Sequence, residues 1–286
     1  MHKNTYRIIA WGRYGDMVMS TALFKEIKEQ QPGARIKLYL PRLISRQIFE
    51  HNPYIDSIHV IEDRFLFFFL LSKFRKTYHI SSGQLIHSIF GDRTTVEIMG
   101  EIVGIRLKEK KANIFLTKKE DLDAKTFLAQ YKNPICIQTA TRGVNKFWFK
   151  HKWEDLIRQM QDYTFIQLGF SGEEEIEGAV NLLGKTSFRE SMALLKHSLS
   201  FVGVDSALSH VTNAFDIPGV ILFGSTTPKI WGHLNNINLY KSLRCSPCID
   251  VLGYSDCPYN RRCMELITVA DVKEALIKQL SFRKKL

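Results

Sequence analysis

Short apolar runs alternate along the chain with longer segments in which apolar positions recur every three to four residues. The run YRIIAW (6 to 11) is short and almost continuously apolar, the mark of a buried strand. From Met17 to Gln30 the apolar period lengthens, with Val18, Thr21, Ala22, Leu23 and Ile27 on or near one face, which predicts a helix ended by Pro32 and Gly33. RIKLYL (35 to 40) predicts the next strand, Leu43 to Glu50 a helix and SIHVIE (57 to 62) a third strand. This β-α-β-α-β order implies a parallel sheet covered by helices on both faces.

A second α/β unit begins near Pro134. ICIQTA (135 to 140), TFIQLG (164 to 169), LSFVGV (199 to 204) and PGVILFG (218 to 224) predict strands. Between them, Trp153 to Gln161 and Ser187 to Lys196 predict helices. The second starts at a Ser187/Glu190 capping-box spacing. A last helix is predicted from Thr268 to about Leu280, on the matching Thr268/Asp271 spacing. The domain expectation is residues 1–130 and 131–286, with the last helix able to return to the first domain. Open parallel sheets bind ligands beyond the carboxyl ends of their strands, so the strand-to-helix loops are the places to look.

Composition narrows the class. The chain has 286 residues, long for one core and ample for two. Forty Lys and Arg against 29 Asp and Glu give +11. That suits phosphorylated ligands, an anionic membrane face or nucleic acid. The basic residues are scattered, and no helix-turn-helix, zinc-finger or RNP pattern is present, so nucleic acid is not an expected partner. No signal-type segment precedes the first strand, and the longest apolar run, FLFFFLL (65 to 71), falls far short of the roughly 18 residues that span a bilayer. Five cysteines do not make a disulfide scaffold. The expected location is cytoplasmic, with peripheral contact at the inner membrane face open.

Four loops carry candidate chemistry. WGRYGDMVMS (11 to 20) follows the first strand, where Gly12 and Gly15 permit a tight loop and Asp16 is either a helix cap or a general base. The G-x-x-G spacing is not the dinucleotide fingerprint. TATRGVNKFWFKHKW (139 to 153) offers Arg142 and Lys146 to an anion or to solvent. FVGVDSALSH (201 to 210) ends a strand at Asp205, which can cap a helix beginning at Ser206. The amides of Ser206, Ala207 and Leu208 would then present positive character to a diphosphate, with His210 one turn on. LFGSTTP (222 to 228) adds Ser225 and Thr226, or is an ordinary turn.

Together these blocks resemble glycosyltransferase family nine, the ADP-heptose:lipopolysaccharide heptosyltransferases. The N-terminal GD with PGARI, TRGVNKFW, LLGKTSFRESMALLKHS and FVGVDSALSHVTNAFDIPGVILFGSTTP carry the resemblance. It implies a GT-B fold, two Rossmann-like domains with parallel sheets facing a cleft. It also implies an inverting, metal-independent transferase moving heptose from ADP-heptose to a lipopolysaccharide or lipooligosaccharide core. Asp16 would match the catalytic base and Lys146 a donor-phosphate contact. Asp205, Ser206, Ala207 and His210 would match the donor block. Ala207 stands where the family usually has Gly, and Ala22 where it often has Pro. The alternatives are a transferase using a UDP- or GDP-sugar and a nonenzymatic nucleotide-sugar-binding protein. Arg13, Arg42, Arg46 and Arg64 are candidates for phosphates on the acceptor, with solvation as the default for each.

Two features stand outside that scheme. FLFFFLLSKFRK (65 to 76), with Arg64, Lys73, Arg75 and Lys76 around it, is either a core helix or a shallow membrane insertion. Cys245, Cys248, Cys257 and Cys263 have the spacing C-x2-C-x8-C-x5-C, suited to a structural zinc or iron site or to free or mutually paired thiols. Cys136, inside a strand, reads as core.

Overall fold

The structure, a computed structural model, describes residues 4–63, 65–66, 69, 77–80, 93–248 and 256–283. It divides into two compact units, Met1–Phe115 and Leu116–Leu286.

In the first unit, β1 (Thr5–Ala10), β2 (Arg35–Leu40), β3 (Ser57–Val60) and β4 (Thr77–Ile80) form a parallel sheet in the order β3-β2-β1-β4. The helix expected over 17–30 is two helices, α1 (Tyr14–Ser20) and α2 (Ala22–Gln30), broken at Thr21. The cause is local. Ser20 Oγ donates to the Met17 carbonyl at 2.7 Å and Thr21 Oγ1 to that of Val18 at 2.6 Å. Such back-bonding competes with the helical ladder and bends it. Thr21 Oγ1 also accepts from the Asn113 amide at 2.8 Å. The helix expected at 43–50 is a 3-10 helix, Leu43–Ile48. Helix α3 (Thr95–Val103) begins at a Thr94/Glu97 capping box and ends at Gly104, whose φ of 74° lies in the left-handed region.

The second unit holds a six-stranded parallel sheet. Its strands are β5 (Pro134–Gln138), β6 (Thr164–Gln167), β7 (Val180–Asn181), β8 (Ser200–Val204), β9 (Gly219–Phe223) and β10 (Asn236–Tyr240), in the order β10-β9-β8-β5-β6-β7. Counted from β5, that is 3-2-1-4-5-6 read from the other edge, the doubly wound Rossmann order. Its switch point lies between β5 and β8, the crevice where such sheets bind ligands. All residues of β8 and β9 are buried, as expected of strands covered on both faces.

The domain boundary falls ahead of α4 (Lys118–Leu128), not at 130. Glu120 is ion-paired with the buried Arg189, and Asp121 accepts from Lys196 and His197 at 2.8 Å each. Arg189, Lys196 and His197 lie on α6 (Phe188–His197), so α4 belongs to the second unit. The last helix, α10 (Val269–Arg283), packs within the second unit. Val272, Ala275, Leu276 and Leu280 sit in the second unit's core with Trp148 and Trp153, whose rings cross at 87° and 5.0 Å. Trp148 Nε1 donates to the Ile267 carbonyl at 2.9 Å, satisfying the one polar atom that this buried indole brings. Among the described residues no helix is long and apolar enough to cross a membrane.

Candidate functional site

Three strand ends in the second unit converge on one carboxylate. Lys146 closes a 3-10 turn (Val144–Lys146) in the loop after β5, Asp205 follows β8, and Thr226 follows β9. Lys146 Nζ donates to Asp205 Oδ2 at 2.7 Å and to the Asp205 carbonyl at 3.3 Å. Thr226 Oγ1 donates to the same Oδ2 at 2.8 Å. Asp205 is 3% exposed. Burial alone would raise its pKa, but the Lys146 charge, the adjacent His210 ring and the hydrogen bonds from Lys146 and Thr226 outweigh it and hold the carboxyl below its ordinary value. The pair is therefore ionised where water is nearly excluded.

This alters the expected cap. Helix α7 (Ala207–Ala214) takes Ser206, not Asp205, as its N-cap, in a reciprocal capping box with Ser209. The Ser206 amide donates to Ser209 Oγ at 3.1 Å, and Ser206 Oγ reaches across the switch point to Gln138 Oε1 at the end of β5. The Asp205 side chain turns inward because a buried ammonium is a stronger partner than a neutral amide. Of the amides at the helix start, the box uses those of Ser206 and Ser209. Those of Ala207 and Leu208 have no acceptor among the described residues. The small Ala207 side chain is partly exposed in front of them. Two aligned donors at a positive helix end, beside a largely buried lysine, can take up an anion.

His210 is also buried, with Nε2 3.8 Å from Asp205 Oδ1 and Nδ1 2.9 Å from His233 Nε2. Burial pushes its pKa down to about 4 and that of His233 to about 3, so both rings are neutral at pH 7. Ser225 and Thr226 are buried and their hydroxyls are spent inside the protein, Ser225 donating to Asn145 Oδ1 at 3.2 Å. Arg142 is exposed in the same loop as Lys146.

In the first unit the candidates also lie beyond strand ends. Gly12, at φ 135°, makes the turn out of β1 into α1 in a conformation that an L side chain rarely adopts. Asp16 sits in the first turn of α1, where Oδ2 accepts from the Arg13 amide at 3.2 Å. Arg42 and Arg46 follow β2 and are exposed, Arg46 lying 3.5 Å from Glu50. They line a groove of about 530 Å³ with Leu43, Ile44, Glu50 and Glu62. Arg64 and most of the 65–76 stretch lie outside the described residues. Of that stretch, Phe65, Leu66 and Phe69 are exposed, not core.

The cysteines converge on the loop that carries Thr226. The Cys248 amide donates to the Ser225 carbonyl at 3.0 Å, and a Cβ on Gly224 would meet Cys263 Sγ at 3.2 Å. All are free thiols. Burial first, then the neighbouring sulfurs, push Cys248 up and Cys263 up to about 11. Among the described residues no three metal-binding side chains are gathered into a coordination set. A metal would have to draw the four thiols closer together. Cys136 is fully buried in β5, as expected.

Three residues of this site carry no signal in the sequence. Gln138 and Asn145 serve as acceptors for the serines of the two neighbouring loops. His233 carries no motif and meets His210 only through the fold. Away from this site, Glu173 in the loop after β6 has its carboxyl raised by burial, and its Oε2 has no hydrogen-bond partner. Its position one loop beyond a strand end was the available signal.

The sequence model of glycosyltransferase family 9 (heptosyltransferase) matches residues 93–252. Lipopolysaccharide heptosyltransferase 3 of Escherichia coli K12 is 30% identical over 127 residues, 40% of this chain and 36% of that protein. Lipopolysaccharide heptosyltransferase 1 of Pseudomonas aeruginosa is 25% identical over 193 residues, 63% of this chain and 52% of that protein. The matches thus span between about a third and a half of these relatives' own length. Among solved structures, the ADP-heptose lipopolysaccharide heptosyltransferase II of E. coli superposes with TM-score 0.74 at 16% identity over 99% of both chains. The dodecameric iron-containing heptosyltransferase TibC, in complex with ADP-D-beta-D-heptose, gives 0.69 at 16% identity over 97% of this chain and 76% of that one. These likenesses give the fold class as GT-B, and the family model covers more than half of the chain: it belongs to glycosyltransferase family 9.

Proposed function

We propose that the chain is an inverting glycosyltransferase that moves a sugar, heptose from ADP-heptose, onto the inner core of a lipopolysaccharide or a similar glycan. The observation that carries the reading is the second unit's switch point. Two unpartnered amides at the start of α7 stand beside an ammonium held by Lys146–Asp205 pairing, with a small residue at 207 to let phosphate approach. Family membership supports it, as does the donor seen in TibC.

In this reading the donor diphosphate rests on the Ala207 and Leu208 amides, and Lys146 and Arg142 supply positive charge around it. An acceptor hydroxyl attacks the anomeric carbon from the face opposite the phosphate. The new C–O bond forms as the bond to the phosphate oxygen breaks, and Asp16 takes the hydroxyl proton. The leaving nucleoside diphosphate gathers negative charge, which the helix start is preorganised to meet. Every step runs through protein groups. Asp16→Asn keeps an acceptor for the Arg13 amide but removes the base. We expect it to lower kcat by about 10²- to 10⁴-fold while ADP affinity stays unchanged. Turnover of ADP-heptose at the wild-type rate by this variant would leave Asp16 as a cap only. Titrations with ADP, UDP and GDP separate the three donors, and donor binding without transfer or hydrolysis would mark a nonenzymatic protein.

Arg13, Arg42 and Arg46 are the groups we assign to phosphates of the acceptor, with Arg64 outside the described residues. Exposed Phe65, Leu66 and Phe69 extend that assignment to peripheral contact with an anionic membrane face, on the cytoplasmic side where such a donor is made available. We further assign a structural iron or zinc to Cys245, Cys248, Cys257 and Cys263, on their spacing and on the iron described for TibC. Its role would be to brace the Gly224–Thr226 loop.

A further inference from the structure

The His210–His233 pair decides how the buried carboxylate is held. Asp205 Oδ2 has two donors, but Oδ1 is buried with no hydrogen-bond partner, and His210 Nε2 lies 3.8 Å from it. A histidine that is neutral can carry its proton on only one nitrogen. With the proton on Nδ1, His210 would turn a lone pair at Nε2 toward a buried carboxylate oxygen, acceptor against acceptor. With the proton on Nε2, it faces Asp205 Oδ1 with a donor, and Nδ1 must accept from elsewhere. His233 Nε2, 2.9 Å away and nearly perpendicular in ring plane, is that donor.

We propose that His233 is a positioning residue of this site: its Nε2–H fixes His210 as the Nε2-protonated neutral tautomer, which supports Asp205 Oδ1 and so holds Lys146 where it is. The chain of contacts runs from the loop before β10, through α7, to the loop after β5. Only the Asp205–His210 link is local in sequence; the other two join residues 23 and 59 positions apart. His233 therefore acts on Lys146 through two intermediaries and touches no ligand. The groups that face the His210 ring are Asp205, Lys146 and His233, one anion, one cation and one neutral donor. Burial of the ring is the main opponent of protonation of His210; the Asp205 anion works against it and the Lys146 cation adds to it.

Long-range proton–nitrogen NMR of the full chain labelled with 15N reads the tautomer, with His210→Gln to assign the ring. His233→Gln keeps an N–H donor, and His233→Phe removes it. The expected result is a protonated Nε2 and a bare Nδ1 on His210 in the wild type and in His233→Gln. In His233→Phe that pattern is lost, and ADP affinity falls by about 3- to 10-fold, the range for one neutral hydrogen bond. His233→Gln retains wild-type affinity. A protonated Nδ1 on wild-type His210 overturns the proposal, as does a His233→Phe variant unchanged in both readouts. If His233→Phe fails to fold, the wild-type tautomer and His233→Gln still decide. The affinity readout rests on reading the pocket as a donor site. If wild-type protein binds no ADP, that reading fails, while the tautomer readout still tests this one.

Discussion

Removing Lys146 while leaving Asp205 in place isolates the interaction at the centre of the site. The side chains are 14% and 4% exposed, so neither charge can be rescued fully by water. Lys146→Met keeps most of the apolar stem and deletes the ammonium. The carboxylate then retains Thr226 and the more distant His210 ring. Breaking a buried pair by removing one partner costs roughly 3 to 5 kcal/mol. Thr226 remains, so the lower figure applies, about 3 kcal/mol. With an m-value of about 2 kcal/mol/M, the urea midpoint of the second unit falls by about 1.5 M at pH 7. The cost has a pH signature. In the wild type the depressed Asp205 pKa adds stability that is present above about pH 4 and lost only as pH falls through the lower folded value. In Lys146→Met, burial dominates and the folded pKa rises above the unfolded one. Protonation then relieves the variant, and its deficit narrows as pH falls from 7 toward about 4. Asp205→Asn in the same background removes the stranded charge and restores most of the stability, leaving a coupling of 2 kcal/mol or more, about the size expected of directly bonded buried groups. A Lys146→Met midpoint within about 0.3 M of wild type, flat with pH, would refute the reasoning, because it would mean the pair contributes almost nothing.

Other expectations follow from the same geometry. His210 and His233 ionise near 4 and 3 in the folded chain but near 6.5 unfolded, so the unfolded state binds more protons between. Stability of the second unit therefore falls as pH drops from about 6.5 to 4, and thermal melts of His233→Phe should lose part of that slope. Glu120, held at about 2 by its hydrogen bonds to Arg189 and to the Thr117 cap, ties α4 to α6. Glu120→Gln leaves Arg189 buried without its anion and should cost about 2 to 4 kcal/mol in urea unfolding at pH 7, less below about pH 4. For the cysteines, elemental analysis of purified protein should give one iron or zinc per chain. A metal-free preparation with wild-type stability would remove that assignment.

The strand-to-helix alternation was legible in the sequence because buried parallel strands are short apolar runs and their covering helices have a longer period. That sufficed for β1, β2, β3, β5, β6, β8 and β9. β4 (TYHI), β7 (VN) and β10 (NINLY) are not legible, since they are short or interrupted by polar residues and their assignment depends on the neighbour that each pairs with. The break at Thr21 was equally hidden, because Thr21 satisfies the helix period and only its hydroxyl's bonds reveal the bend. At the site, the position of Asp205 was legible and its partner was not. A carboxylate before a helix is an ordinary cap by local rules, and Lys146, 59 residues earlier, turned it inward. Ser225 and Thr226 lay at a strand end as expected, yet the fold uses their hydroxyls to hold Asn145 and Asp205. Arg189 and Glu120 show the same limit: the capping box at Thr117 could have been read, but not the ion pair that moves α4 into the second unit.

Whether the start of α7 grips a diphosphate decides the proposed function. Ala207→Glu tests this without weakening the helix, because an acidic residue in the first turn favours it by a few tenths of a kcal/mol while placing a negative charge where phosphate would lie. Calorimetric titration with ADP should show binding to the wild type and a loss of at least about tenfold in Ala207→Glu, one like-charge contact being worth on the order of 1 kcal/mol or more at a partly covered site. Equal ADP affinity in a variant that melts no lower than wild type would contradict it.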